Sequence, residues 1–178
     1  MNKKFRLPLI ILAIIVIIAL PIISSYNNLV SLEQTVNTAE ANIDTQLQRR
    51  SDLIPNLVNT VKGYASQEKE IFTNIADARS KLAGASNVTD RANADNDLSN
   101  ALSRLLVVVE RYPDLKSNQN FRDLTVQLEG TENRIAVARQ DYNAAVTKYN
   151  TKRRKFPTSI ISSLFGFDEK PLYKASEG

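Results

Sequence analysis

Three acidic residues have the type and the neighbours that acid–base chemistry requires. Glu110 and Asp114 flank an Arg-Tyr-Pro sequence, and Glu132 precedes Arg134 and Arg139 within a long helical pattern. A carboxyl group can transfer protons when its surroundings bring its pKa near the working pH. Glu132 occupies an apolar stripe position. It is therefore either a buried carboxylate paired with an arginine of another helix, or one member of an exposed ion-pair series along its own helix.

The sequence lacks the side chains that nucleophilic and metal-dependent catalysis usually require. The sequence contains no cysteine and no histidine, so thiol or imidazole nucleophile systems and the usual zinc and haem ligand sets are excluded. No acidic loop has calcium-binding spacing. We predict no catalytic residue, no metal and no cofactor. The alternative is a membrane-associated hydrolase, or an accessory subunit of one, that uses Glu132 or Glu110.

The positive charge is confined to two short clusters. The net charge is +4, yet residues 24–151 carry 14 basic and 16 acidic side chains, a net of −2. The excess lies before the first apolar run and near the carboxyl terminus, at Lys3, Lys4 and Arg6 and at Lys152, Arg153, Arg154 and Lys155. Nucleic-acid binders carry a basic stripe along a folded surface. We therefore predict that nucleic acid is not a partner.

Apolar residues at steps of three and four predict amphipathic helices along most of the chain. The first soluble helix is predicted to end near Arg50, and the second to follow a break at 50–54 and stop at Gly84. The third begins with Asp90 as its cap and ends at Pro113, and the fourth closes at Pro157 after a connector at 114–118. The predicted fold is all-α: an N-terminal transmembrane helix that continues into an antiparallel up-and-down four-helix bundle.

The first apolar run predicts a membrane anchor. Residues 7–23 contain no charged side chain, and seventeen helical residues rise roughly 26 Å, close to the hydrocarbon thickness. The alternative is a signal peptide cut after Ser25. Because basic residues precede the run and acidic residues follow it, the N-terminus is predicted to be cytoplasmic and the bundle extracytoplasmic. The predicted domains are an anchor at 1–25, a bundle at 26–156, and an apolar segment with a mobile polar tail at 157–178.

Two polar stretches, at 49–57 and 110–114, are predicted as corners between helices, and each has alternative interpretations. In the structural one, Asp52 caps the second helix and the preceding arginines favour the C-terminus of the first. In the functional one, the corners bind a protein partner through Arg49, Arg50, Asp52 and Asn56 in the first and Glu110 and Lys116 in the second.

The last apolar segment predicts contact with a membrane surface. Ile160, Ile161 and Leu164 lie just after the second basic cluster, in a segment too short to span a bilayer. The candidate interface residues are Lys152, Arg153, Arg154, Lys155, Phe165 and Phe167. The alternative is that the apolar side chains cover the open end of the bundle or a neighbouring subunit.

The motifs of residues 26–174 resemble the LemA family. The similar stretches are Ile43-Asp44, Gln46-Leu47, Arg49-Arg50, Asp52 to Val58, Val61 to Tyr64, Glu110, Tyr112 to Lys116, Asn120-Phe121, Glu132 to Ile135, Tyr142-Asn143 and Phe156-Pro157. Two positions depart from the family pattern. The aromatic residue that the family commonly has near position 41 is absent, since Ala41 lies there, and Gln67 occupies the position where the family usually has histidine.

The resemblance implies a bacterial, membrane-anchored four-helix bundle without an established enzymatic activity. Some relatives are associated with membrane proteases or organised membrane compartments, which implies a scaffold or adaptor role in the envelope. The expected location is the plasma membrane. The expected partners are the lipid bilayer, an envelope or membrane protein (a membrane protease among them), and further copies of this chain.

Overall fold

The computed structural model describes residues 3–174, without the side chains of residues 3–8, 10, 11, 14 and 18. Met1, Asn2 and the last four residues of the predicted tail, 175–178, lie outside the described residues. Residues 3–174 contain no strand and six helices: α1 (Lys3–Lys62), α2 (Lys69–Gly84), α3 (Val88–Val109), α4 (Pro113–Ser117), α5 (Gln119–Arg154) and α6 (Thr158–Phe165). The predicted all-α class is confirmed.

The helix that carries the apolar run continues without interruption into the soluble part, as predicted. It is the one helix among the described residues that is long and apolar enough to cross a membrane, judged by length and composition. Leu12, Ile17, Leu20 and Ile23 on this stretch are all exposed.

The chain divides into two compact units. Unit 1 comprises Met1–Thr38 and Ala144–Lys170, and unit 2 comprises Ala39–Asn143 and Pro171–Gly178. Both α1 and α5 contribute residues to each unit. The up-and-down arrangement of four helices and the predicted domain boundaries stay predictions.

Unit 2 has an apolar core to which five helices contribute. The buried side chains include Ile54, Leu57 and Val61 of α1, Phe72, Ile75 and Ala78 of α2, Leu98, Ala101, Leu102, Leu105 and Val109 of α3, Leu115 of α4 and Phe121 of α5. The buried side chains of unit 1 include Leu29, Val36, Val146, Tyr149, Ile161 and Phe167.

The predicted helix break at 50–54 is wrong, because α1 runs through it to Lys62. Pro55 removes one helical hydrogen bond and costs about 3 kcal/mol in a helix interior. Ile54, Leu57 and Val61 share one helix face and are at most 2 % exposed, and each contributes about 1.5–3 kcal/mol by burial. The combined burial outweighs the proline, so Asp52 lies within the helix and does not cap one.

Three other boundaries differ from the predicted ones, whereas Gly84 ends α2 and α5 begins after the 114–118 connector, as predicted. The second predicted helix is divided by a turn at 63–68, where the backbone N–H groups of Tyr64 and Ala65 both donate to the carbonyl of Val61. Asn87, not Asp90, caps α3, because its side-chain oxygen accepts from the Asp90 backbone N–H at 2.9 Å. Pro113 begins α4 instead of ending α3, since proline suits a first helical position.

Candidate functional site

The buried charged residues of unit 2 form one cluster around Asp95. Asp95 of α3 is 0 % exposed. Its Oδ1 accepts from Nη1 of Arg50 in α1 at 2.9 Å. Its Oδ2 accepts from Nη2 of Arg139 in α5 and from the Tyr173 hydroxyl at 3.2 Å. One carboxylate therefore connects three helices and the C-terminal segment.

Glu132 of α5 completes this charge cluster. Its Oε2 lies 2.8 Å from Nη1 of Arg50, and its side chain is 43 % exposed. The interpretation in which Glu132 pairs with an arginine of another helix is confirmed, although the carboxylate is only partly buried. Two arginines face two carboxylates, so the cluster is balanced in charge.

The cluster also sets the protonation of its neighbours. Burial alone would lower the pKa of Arg139, but the Asp95 carboxylate offsets this and raises it. Burial, and then the negative charge of Asp95, raises the pKa of Tyr173 far above its usual value of 10. The Arg139 guanidinium also lies 5.3 Å from the centre of the Tyr173 ring. Arg139 therefore stays charged and Tyr173 stays neutral near pH 7, which suits a structural ion-pair network.

A groove of about 300 Å³ opens beside the charge cluster. Its apolar wall consists of Leu57, Leu102, Leu106 and Leu128, and its polar lining of Arg50, Ser99, Ser103, Thr125, Glu129 and Glu132. The groove combines an aliphatic wall with an acidic edge. That combination can accept apolar side chains of a partner and exclude acidic ones.

Tyr173 reaches Asp95 because side chains of α5 hold the backbone before it. Within unit 2, the Tyr142 hydroxyl donates to the carbonyl of Pro171 at 3.0 Å. The Asn143 amide accepts from the Tyr173 N–H at 2.8 Å and donates to the Tyr173 carbonyl at 3.2 Å. The asparagine therefore pairs with one backbone residue as a strand neighbour would.

Unit 1 contains the same arrangement one heptad later. The Tyr149 hydroxyl donates to the carbonyl of Asp168 at 2.9 Å, and the Asn150 amide donates to and accepts from the Lys170 backbone at 2.8 and 3.1 Å. The prediction of a mobile tail is therefore wrong for residues 168–173. The repeated Tyr-Asn pair, at 142–143 and 149–150, is the sequence signal that would have indicated this segment.

The predicted partner-binding residues separate into exposed and buried ones. Arg49, Asp52 and Asn56 are exposed and share one helix face by their spacing. Arg50 is only 5 % exposed. It points into the charge cluster and also lines the groove beside it, and its partner-binding role stays a prediction. The partner-binding role of the three exposed residues stays a prediction.

The second predicted corner is a surface ion pair. The Lys116 ammonium donates to Oε2 of Glu110 at 2.6 Å, and both side chains are exposed. The turn that carries Glu110 joins α3 to α4. Among residues 3–174, no described contact connects Glu110 or Lys116 to the carboxylates of the charge cluster. The partner-binding role of these two residues stays a prediction.

The predicted membrane-interface residues are also divided. Arg154, Lys155 and Phe165 are exposed, and Lys152 is partly exposed. Arg153 instead donates from Nε to the Phe167 carbonyl at 2.6 Å. Phe167 is buried against the ring of Tyr26, with ring centres 5.5 Å apart. Phe167 therefore packs within unit 1, and the choice between the membrane and the bundle end stays a prediction for the segment as a whole.

Residues 3–174 place no three acidic side chains where they would hold a metal ion together.

The chain matches known proteins over most of its length. A family model described as the LemA family matches residues 39–178. Magnetosome protein MamQ 1 of Paramagnetospirillum magneticum is 28 % identical, over 92 % of this chain and 70 % of the relative. Protein LemA of Metamycoplasma hominis is 23 % identical, over 85 % of this chain and 69 % of the relative. Magnetosome protein MamQ of Magnetospirillum gryphiswaldense is 27 % identical, over 80 % and 62 %.

Proposed function

This chain belongs to the LemA family, and on that premise we propose that it is a membrane-anchored interaction protein of the bacterial envelope, without catalytic activity of its own. The observation that carries this proposal is the continuity of α1 from Lys3 to Lys62. One continuous helix bears both the exposed apolar run and part of the unit 2 core, so the folded part is tethered directly to whatever covers that run.

The bilayer is the cover that fits the apolar run. Leu12, Ile17 and Leu20 are exposed by at least 60 %, and apolar surface left in water costs about 25 cal/mol per Å². Hydrocarbon removes that cost, and a continuous helix satisfies its own backbone hydrogen bonds there. The basic flank at Lys3 and Lys4 favours a cytoplasmic N-terminus and an extracytoplasmic unit 2.

The charge cluster supports interaction over catalysis. Asp95 accepts from three donors, so a substrate would have to displace an ion pair before reaching it. The groove beside it is left with an aliphatic wall, and Leu106 at its edge is 41 % exposed. We assign the groove to an apolar segment of a protein partner. The similarity to proteins named for the magnetosome supports a role for this chain within a larger cellular assembly.

Cross-linking with mass spectrometry in native membranes tests this function. We expect cross-links from unit 2 to another membrane protein or to a second copy. Leu106→Asp should remove them, because it places a charge at the groove edge. Val126→Asp is the matched control, since Val126 is also an exposed aliphatic residue but does not line the groove. A monomeric protein without intermolecular cross-links would refute the proposal.

Glu132 favours the second candidate function, a hydrolase or its accessory subunit. It is a partly exposed carboxylate at the groove. If it performs acid–base chemistry, Glu132→Gln should abolish the function scored in a genetic assay, whereas Glu129→Gln at the same groove should not. Full function in Glu132→Gln and Glu110→Gln would exclude this candidate.

A further inference from the structure

The short helix α6 has one buried face and one exposed apolar face. Thr158, Ile161 and Ser162 are buried within unit 1. Ile160 and Leu164 on the other face are 58 % and 73 % exposed. Phe156 before the helix and Phe165 at its end extend the exposed face. We refer to Phe156, Ile160, Leu164 and Phe165 as the α6 apolar face.

The end of α6 determines which aromatic ring turns outward. Gly166 adopts φ +71°, a left-handed conformation that glycine adopts without steric cost. The chain reverses there, and the Phe167 N–H donates to the Ser162 carbonyl at 2.9 Å. Phe167 consequently turns into the protein, while Phe165 remains 53 % exposed.

Contacts within unit 1 place α6 at the end of the apolar run of α1. The ring of Tyr26 lies 5.1 Å from that of Phe165 and 5.5 Å from that of Phe167, both edge-on. Tyr26 follows Ile23, the last residue of the run, by three positions, which is about 4.5 Å along a helix. If the run occupies the hydrocarbon, the α6 apolar face lies at the depth of the lipid headgroups. Tyrosine is enriched at that depth, and interfacial helices place Phe and Leu there on their apolar face.

The neighbouring charges favour an anionic surface. Arg154 and Lys155 are exposed, and Lys152 is partly exposed. Of the nearby acidic groups, Glu33 lies 2.9 Å from Lys170 and Glu169 lies 3.6 Å from Arg153. Asp168 is exposed, so the exposed basic side chains outnumber the one nearby acidic group for which the described residues show no ion pair. Each basic side chain close to anionic lipid strengthens binding by about fivefold.

From these contacts we propose that the α6 apolar face inserts into the headgroup region of an anionic phospholipid bilayer, in the leaflet from which α1 emerges. The proposal rests on the membrane anchoring of α1 proposed above. It gives unit 1 two attachments to one leaflet: a spanning helix, and an interfacial helix held beside it by Tyr26. An interfacial helix with an apolar face and adjacent basic residues binds by this combination of burial and charge.

The full-length chain, reconstituted into phosphatidylglycerol vesicles, allows a direct test. Because the sequence has no cysteine, Leu164→Cys provides a single position for an environment-sensitive fluorophore. Val107→Cys is the matched control, since Val107 is an exposed aliphatic residue of α3 in unit 2. We expect spin-labelled lipids to quench the label at 164 and not the label at 107.

Charge and lipid composition supply the second measurement. Replacing Arg154 and Lys155 by serine should lower the ratio of docked to undocked α6 by about 25-fold. Phosphatidylcholine vesicles or high salt should lower it similarly. Alkaline extraction of the same vesicles reports whether α1 is anchored, so failure of the anchor and failure of α6 docking are distinguishable.

Two results would overturn the proposal. In the first, the label at 164 is as accessible to aqueous quenchers in phosphatidylglycerol as the label at 107, although α1 resists extraction. In the second, protection at 164 rises with the protein-to-lipid ratio and is independent of lipid charge. That outcome would assign the α6 apolar face to a second copy of the chain.

Discussion

Replacing Asp95 with asparagine removes the central negative charge of the charge cluster while preserving the side chain's shape. Arg139 then loses its carboxylate partner, and Arg50 keeps only Glu132. Removing one partner of a buried ion pair typically costs about 3–5 kcal/mol. The Arg139 side chain is 30 % exposed and water can solvate part of it. We therefore expect the lower end, a loss of about 3 kcal/mol in the free energy of unfolding.

Asp97→Asn is the matched control, two residues along the same helix. Its carboxylate pairs with Lys81 at 3.0 Å, and both side chains are about half exposed or more. Exposed pairs contribute about 0.2–1 kcal/mol. Asp97→Asn should therefore change the unfolding free energy severalfold less than Asp95→Asn, although the chemical change is identical.

Denaturant unfolding of the full-length protein in detergent micelles, followed by circular dichroism, measures both variants. A double-mutant cycle with Arg139→Gln isolates the pairwise term. Because the two substitutions remove the same interaction, their combined cost should fall well below the sum of the single costs. If Asp95→Asn costs no more than Asp97→Asn, or the cycle shows no coupling, the charge cluster does not stabilise unit 2 as argued.

Two further predictions concern pH and the proline in α1. Burial, and then the nearby charge of Glu40, raises the pKa of Tyr142 from 10 to about 12. The unfolded chain therefore ionises first, and stability that is fully present below pH 10 should be lost between pH 10 and 12, by at most about 3 kcal/mol from this residue. The measurement is the unfolding free energy as a function of pH between about 10 and 12. Tyr142→Phe should make its decline with pH less steep without abolishing it, because burial also raises the pKa of Tyr149 and Tyr173. An unchanged pH dependence would contradict the assignment to Tyr142. Pro55→Ala restores a backbone N–H inside α1 and should raise the thermal unfolding midpoint by an amount corresponding to about 1–3 kcal/mol, whereas Pro113→Ala at the first position of α4 should be neutral or slightly destabilising. Equal effects of the two substitutions would show that Pro55 is not a cost to α1.

The sequence by itself determined the features that depend on local periodicity. Apolar steps of three and four identified the helical class. The apolar run at 7–23 identified a helix long and apolar enough to cross a membrane, and its continuation into the soluble part. The motifs around Arg49-Arg50 and Glu132 identified the family. These signals are readable because helical periodicity and hydrophobic length are properties of neighbouring residues.

Tertiary structure alone decided how local preferences were overruled. Pro55 and Asp52 have the types of a helix start, but the burial of Ile54, Leu57 and Val61 keeps α1 continuous through them. Propensity is worth a few kcal/mol at a single residue, and a core contact of three side chains exceeds it.

Tertiary structure also decided the formation of the charge cluster and the order of the C-terminal segment. Arg50 and Asp95 are 45 positions apart, and Tyr173 lies 78 positions beyond Asp95. No local pattern relates such residues, because the energy of their contact exists only after the helices exclude water from it. The segment at 168–173 lacks a periodic pattern of its own. It is ordered because Tyr142, Asn143, Tyr149 and Asn150 of α5 satisfy its backbone groups.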